Sequence, residues 1–139
     1  MGIDPGPYDL DEVRFILGPD GSGTTKSVGP SFYEDLGREF PSFLGHALVQ
    51  RYTFSEPWPT WEIHPHGDEF VYLIDGDTDF VLWVDGAERR LRVDRGNSYI
   101  VVPRGTWHTA QPHARTTMLF VTPGEGTLNA DEPPGATEG

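Results

Sequence analysis

From Ala47 to Thr122 the chain is written as one short apolar run after another, each closed by Gly, Pro or Asp. Residues 48–54 (LVQRYTF) and 60–66 (TWEIHPH) come first. The run from Glu69 to Ile74 ends at Asp75-Gly76, and that from Phe80 to Val84 at Asp85-Gly86, both dipeptides of tight hairpin turns. Residues 88–94 alternate Leu91 and Val93 against Arg90, Arg92 and Asp94. Tyr99 to Val102 then runs into Pro103-Arg104-Gly105, and Thr116 to Thr122 stops at Pro123-Gly124. Many short strands at this spacing call for a sandwich or a small barrel, which also limits exposed edges.

The segment before them is different. Val13 to Leu17 reads as a strand stopped by Gly18-Pro19-Asp20-Gly21. Ser31-Phe32-Tyr33-Glu34 reads as a capping box, opening a helix of two to three turns that ends before Pro41. The 139 residues suit a single core. The expected organisation is an N-terminal extension over 1–46, a barrel over 47–123, and a flexible acidic tail over 124–139, rich in Gly, Pro and Glu.

Charge and composition narrow the function classes. Ten Lys and Arg against 22 Asp and Glu give a net charge of −12, a field that repels phosphate backbones and anionic headgroups. Neither nucleic acid nor membrane is expected as a partner. Four acids within residues 1–12 and four within 124–139 put much of that charge on the ends of the chain, where it says little about a substrate. The absence of cysteine removes thiolate nucleophiles and Cys-based zinc sites. With no basic-then-apolar leader and no long apolar stretch, a cytoplasmic protein is the expectation.

The chemistry-bearing residues sit where strands begin and end. In an extended 60–66 segment, Glu62, His64 and His66 share one side. Gly67-Asp68 permits a turn, after which Glu69, Val71 and Leu73 share a face, setting a carboxylate at the rim of an apolar interior. His108 follows the bend at Pro103-Arg104-Gly105. Folding these together gathers two or three imidazoles and one or two carboxylates at one point. Such mixed nitrogen and oxygen donors suit Mn, Fe, Ni, Co or Zn, with coordination positions left for water or substrate. Trp107, Val71, Leu73 and Arg104 are the expected lining of a ligand pocket. His46 and His113 read as ordinary surface histidines, and Arg89, Arg90, Arg92 and Arg95 as a solvated strand face.

Glu62-Ile63-His64-Pro65-His66-Gly67-Asp68-Glu69, with Gly76 following, resembles the first motif of the cupin superfamily, and Pro103-Arg104-Gly105-Thr106-Trp107-His108 resembles the second. The likeness covers about residues 47–123. Trp61-Glu62, His64-Pro65, Gly67-Asp68-Glu69 and the later Thr122-Pro123-Gly124-Glu125-Gly126-Thr127 resemble a subgroup of single-domain cupins. The resemblance implies a double-stranded β-helix, or jelly-roll barrel, that pairs as a homodimer. In the register that keeps the family's spacing between His64 and Glu69, it implies Glu62, His64, Glu69 and His108 as metal ligands. Glu62 then stands where the family carries its first histidine, and His66 remains the alternative ligand.

The expectation for function is a metal-dependent enzyme acting on a small polar molecule, of oxygenase, isomerase or lyase type. A non-catalytic ligand-binding or sensor cupin is the alternative, and a barrel that only dimerises is the third reading.

Overall fold

The computed structural model describes residues 2–135; residues 136–139, the end of the expected tail, lie outside them. The described chain runs β1 (Val13–Leu17), β2 (Gly23–Ser27), α1 (Phe32–Glu39), a 3₁₀ turn (Pro41–Phe43), β3 (Ala47–Phe54), β4 (Trp61–Ile63) and β5 (Glu69–Asp75). It continues with β6 (Thr78–Val84), β7 (Ala87–Val93), β8 (Tyr99–Val102), β9 (His108–Pro112), β10 (Thr116–Thr122) and β11 (Leu128–Ala130).

The all-β expectation with one short helix is met. The strands form two antiparallel sheets, ordered β2-β1-β3-β10-β5-β8 and β11-β4-β9-β6-β7. They face each other as a jelly-roll sandwich and do not close into a continuous barrel. Two of the free edges explain why pairing stops there. Gly-Thr-Thr-Lys-Ser in β2 and Ala-Glu-Arg-Arg-Leu-Arg-Val in β7 are polar or charged, and such edges discourage further strands.

Side-chain alternation builds the core. In β5, Glu69, Val71 and Leu73 are buried while Phe70 and Tyr72 face outward. Val71, Leu73, Met118 and Phe120 from the large sheet meet Phe80, Leu82 and Ala110 from the small one. Each of these Val, Leu, Met and Phe side chains contributes about 1.5–3 kcal/mol by leaving water. A second cluster forms where α1 lies on β1 and β3, joining Phe32 and Leu36 to Ile16, Phe43 and Leu48.

Two local expectations need correction, and one strand has no counterpart in the sequence reading. Ser31 does not cap α1 through its side chain; its hydroxyl donates to the Asp35 carboxylate at 2.8 Å, so the capping box is not formed. β2 is a strand that carries no apolar run, held by its hairpin register to β1, with Phe15 opposite Thr25. Residues 128–130 are not free tail but a strand on β4, with Asn129 opposite Glu62. A short polar strand at a sheet edge needs only backbone pairing, so it leaves no hydrophobic pattern to read.

Gly76 closes the β5–β6 turn at φ +124°, where a Cβ would stand 2.6 Å from the Cα of Thr116. Only glycine fits both the backbone conformation and that approach.

Candidate metal centre

Glu62, His64, Glu69 and His108 come together between the sheets at one end of the sandwich. Glu62 in β4 lies directly opposite His108, the first residue of β9. His64 follows β4, and its carbonyl accepts a hydrogen bond from the Gly105 amide at 3.0 Å, which ties the two motif segments together. Glu69 opens β5 on the facing sheet, in register with Val102 of β8. Gly67 makes the intervening turn possible, since a Cβ there would stand 2.6 Å from Pro123.

The donor atoms converge. Nε2 of His64 is 3.4 Å from Oε2 of Glu69, and Nε2 of His108 is 3.3 Å from Oε1 of Glu69. Oε2 of Glu62 lies 3.7 Å from His64 Nε2 and 3.9 Å from His108 Nε2. His64, Glu69 and His108 are 4%, 3% and 0% exposed; Glu62 is the one open to solvent, at 33%.

Each buried ligand candidate is oriented from behind. The Nδ1–H of His108 donates to the Thr106 carbonyl at 3.0 Å, which leaves Nε2 facing the cluster. Nδ1 of His64 is hydrogen-bonded to the Thr127 hydroxyl at 2.8 Å. The Thr122 hydroxyl donates to Oε2 of Glu69 at 2.6 Å. Thr122 and Thr127 bracket the Thr-Pro-Gly-Glu-Gly-Thr segment, so one turn steadies two members of the cluster. That segment was visible in the sequence; its contacts were not.

Electrostatics follow from this packing. Burial would raise the Glu69 carboxyl, but the imidazoles of His108 and His64 outweigh it and hold its pKa at about 2. Burial opposes a charged His108, yet Glu69, the Thr106 carbonyl and Glu62 prevail and raise its pKa. Glu62 is raised, chiefly by burial and further by Glu69, against the pull of His108 and His64.

The residues fit a divalent transition metal. His64 Nε2, Glu69 Oε1 and His108 Nε2 are buried with no hydrogen-bond partner, an expensive state unless something else satisfies them. Donors bound at about 2.0–2.2 Å to one small cation stand about 3.0–3.5 Å apart, close to the separations here. Glu62, His64 and His108 can each bring one donor atom within 4.8 Å of the others.

His66 is exposed on the turn and lies outside the group of converging donors, whereas Glu62 lies within it. The expected pocket lining is corrected. Val71 and Leu73 are fully buried in the core, and Arg104 is exposed, its amide bound to Asp68. Neither they nor Trp107 border the cavity of about 840 Å³ that opens beside the cluster. Glu62, His64 and Glu69 form part of its wall, and Trp58, Tyr52, Phe120 and the N-terminal residues Arg14 and Phe40 are among the others that line it. The N-terminal segment was missed because its contribution depends on α1 folding over the sheet, a long-range contact with no local pattern. His46 binds the Leu44 carbonyl and His113 faces Asp79, as surface histidines do.

No family model matches the chain. Over 61 residues it is 30% identical to the uncharacterized protein YdbB of Bacillus subtilis (strain 168), a match covering 44% of this chain and half the length of that relative. Among solved structures it is similar to an oxalate oxidase, with TM-score 0.50 and 18% identity over 59% of this chain and 45% of that one. It is also similar to a cupin-2 domain containing protein from Shewanella frigidimarina, with TM-score 0.48 and 14% identity over 55% of this chain and 70% of that one. At these identities the shared property is the fold. The chain has the cupin fold, built as two facing antiparallel sheets.

Proposed function

We propose that the protein binds one divalent transition metal through Glu62, His64, Glu69 and His108 and acts as an enzyme on a small polar molecule held in the adjoining cavity. The observation that carries this reading is the set of three buried, unpartnered donor atoms facing one point. Mn, Fe, Ni, Co and Zn all suit such nitrogen and oxygen donors. When bound, the metal supplies a Lewis acid with open positions for a substrate oxygen. The chain itself supplies orientation: Thr106 fixes the ring of His108, Thr127 that of His64, and Thr122 the carboxylate of Glu69. The apolar walls exclude water from the far side of the cluster. The cupin fold hosts oxygenase, isomerase and lyase chemistry, and substrate profiling of the metal-loaded protein selects among them.

Elemental analysis of protein purified without chelator tests the reading. Near one transition metal per chain is expected, lost in His64→Ala and in His108→Ala. Equal metal in wild type and both variants would sink it. The second reading, a binding module without tightly held metal, is favoured by Glu62 at the family's first histidine position. It requires ligand binding that survives chelation.

The homodimer belongs to the same proposal. The outer face of the large sheet exposes Ile74, Tyr99 and Val101 and packs Phe70 against Tyr72 and Tyr99, an apolar surface a second copy would cover. Light scattering should give twice the chain mass, and Tyr99→Arg should give one; a monomer at every wild-type concentration would contradict it.

A further inference from the structure

The cavity beside the cluster has a second polar end that the metal-binding reading does not use. Arg14 is its one Lys or Arg side chain. The guanidinium stands 4.6 Å over the ring of Phe32, donates weakly to the Tyr33 hydroxyl at 3.4 Å, and Tyr33 in turn donates to Gln50 at 3.4 Å. Among the described residues no carboxylate lies within ion-pair distance of it. Lys26, Arg38, Arg51, Arg90 and Arg92 each hold an Asp or Glu. The others without such a partner, Arg89, Arg95, Arg104 and Arg115, are exposed to solvent, whereas Arg14 is half-buried at the cavity.

The sheet register shows why Arg14 reaches the cavity. Ile16 lies opposite Leu48 and is buried, so Arg14, two residues earlier, shares its inward face. β1 stands three strands from β5 in the order β1-β3-β10-β5. At about 4.8 Å per strand, about 14 Å of sheet separates the two backbones. Between them the walls are apolar and aromatic: Leu36, Phe40, Tyr52, Trp58 and Phe120. Trp58 adds a buried Nε1–H with no acceptor. The volume, about 840 Å³, is that of a small-molecule site.

From this arrangement we infer that the cavity takes a carboxylic acid with an apolar or aromatic body, its carboxylate on Arg14 and its body against Trp58, Tyr52 and Phe120. The other end of the molecule then lies toward Glu62, His64 and Glu69. The planar fork of a guanidinium matches a carboxylate with two parallel hydrogen bonds. A single cation facing a wall that also carries Glu62 and Glu69 favours a singly charged group over a phosphate. That the acid is also a substrate rests on the metal-enzyme reading; that it binds does not.

The test is calorimetric binding of phenylacetate and 3-phenylpropanoate, with their neutral amides, to wild type, Arg14→Gln and Arg14→Lys. Each is measured on protein as purified and after chelation. The expected result is acid preferred over amide in wild type, at least a tenfold loss of acid affinity in Arg14→Gln, and no change for the amide. Arg14→Lys should keep part of the preference, which separates charge from packing over Phe32. Acid binding equal to amide binding, acid binding unchanged by Arg14→Gln, or no acid binding at millimolar concentration would overturn the inference. Acid binding that chelation abolishes and Arg14→Gln spares would also overturn it, while leaving the metal reading intact. Protein without metal that still binds acids through Arg14 would sustain the inference and remove the enzyme reading.

Discussion

Thr127 and Thr122 each touch the candidate centre through a single hydroxyl, and that contact decides what they do. A hydroxyl on Nδ1 of His64 sets the ring's orientation and basicity, and one on Oε2 of Glu69 leaves Oε1 free. Partners of this kind typically change metal affinity by about 10–100-fold. Thr127→Val is therefore expected to weaken metal binding by that factor in a competition titration with a chromophoric chelator, with the fold retained by circular dichroism. Unchanged affinity would reduce the contact to packing. The metal-free cluster should also leave a mark on stability against pH. Glu69 has its folded pKa depressed from 4.5 to about 2, so its contribution is present above 4.5 and is lost as pH falls toward 2. His108 is raised above 6.5, so its contribution is complete below 6.5 and is lost as pH rises through the raised value. The two overlap between 4.5 and 6.5. Thermal melts of chelated protein should show the cluster's contribution greatest in that window, and Glu69→Gln should flatten it; parallel profiles for the two proteins would refute the linkage.

At the scale of elements, the turn at Gly76 joins the two sheets, because it carries the chain from β5 of the large one to β6 of the small one. Gly76→Ala would strain the positive-φ backbone and press on the backbone of Thr116. A loss of about 1–3 kcal/mol is expected from the strain alone, measured by denaturant unfolding. An unchanged midpoint would mean the turn can relax. The turn was legible in the sequence because Asp75-Gly76 closes an apolar run. So were β5, β6 and β10, each a short apolar run closed by a turn, and the placement of Glu69 on the inward face followed from the alternation of strand side chains. β2 and β11 were not legible, since polar strands held by backbone pairing carry no such signal. Glu62, His64 and His108 could be named because they lie in two local motifs. Arg14, Trp58 and the two threonines could not, because each acquires its role from a residue far away in the chain.

The whole molecule depends on whether α1 unfolds with the sandwich or before it. The helix buries Phe32 and Leu36 on Ile16 and Leu48, which belong to the same large sheet as Glu69. β3 contributes Leu48 to that cluster and Phe54 to the core between the sheets, so one strand serves both. A shared strand should make the two clusters cooperate as a single unit. Phe80→Ala in the main core is expected to cost about 3–5 kcal/mol, and Leu36→Ala beneath the helix about 2–5 kcal/mol. If the unit is single, both substitutions lower one common transition. Hydrogen exchange at the amides of α1 should then follow that of β5 and β10 as stability falls. Should Leu36→Ala instead release the α1 amides while the β5 amides stay protected, the helix is a separately melting wall. The Arg14 end of the cavity would then open without disturbing Glu62, His64, Glu69 and His108, and acid binding would weaken with temperature well before metal is released.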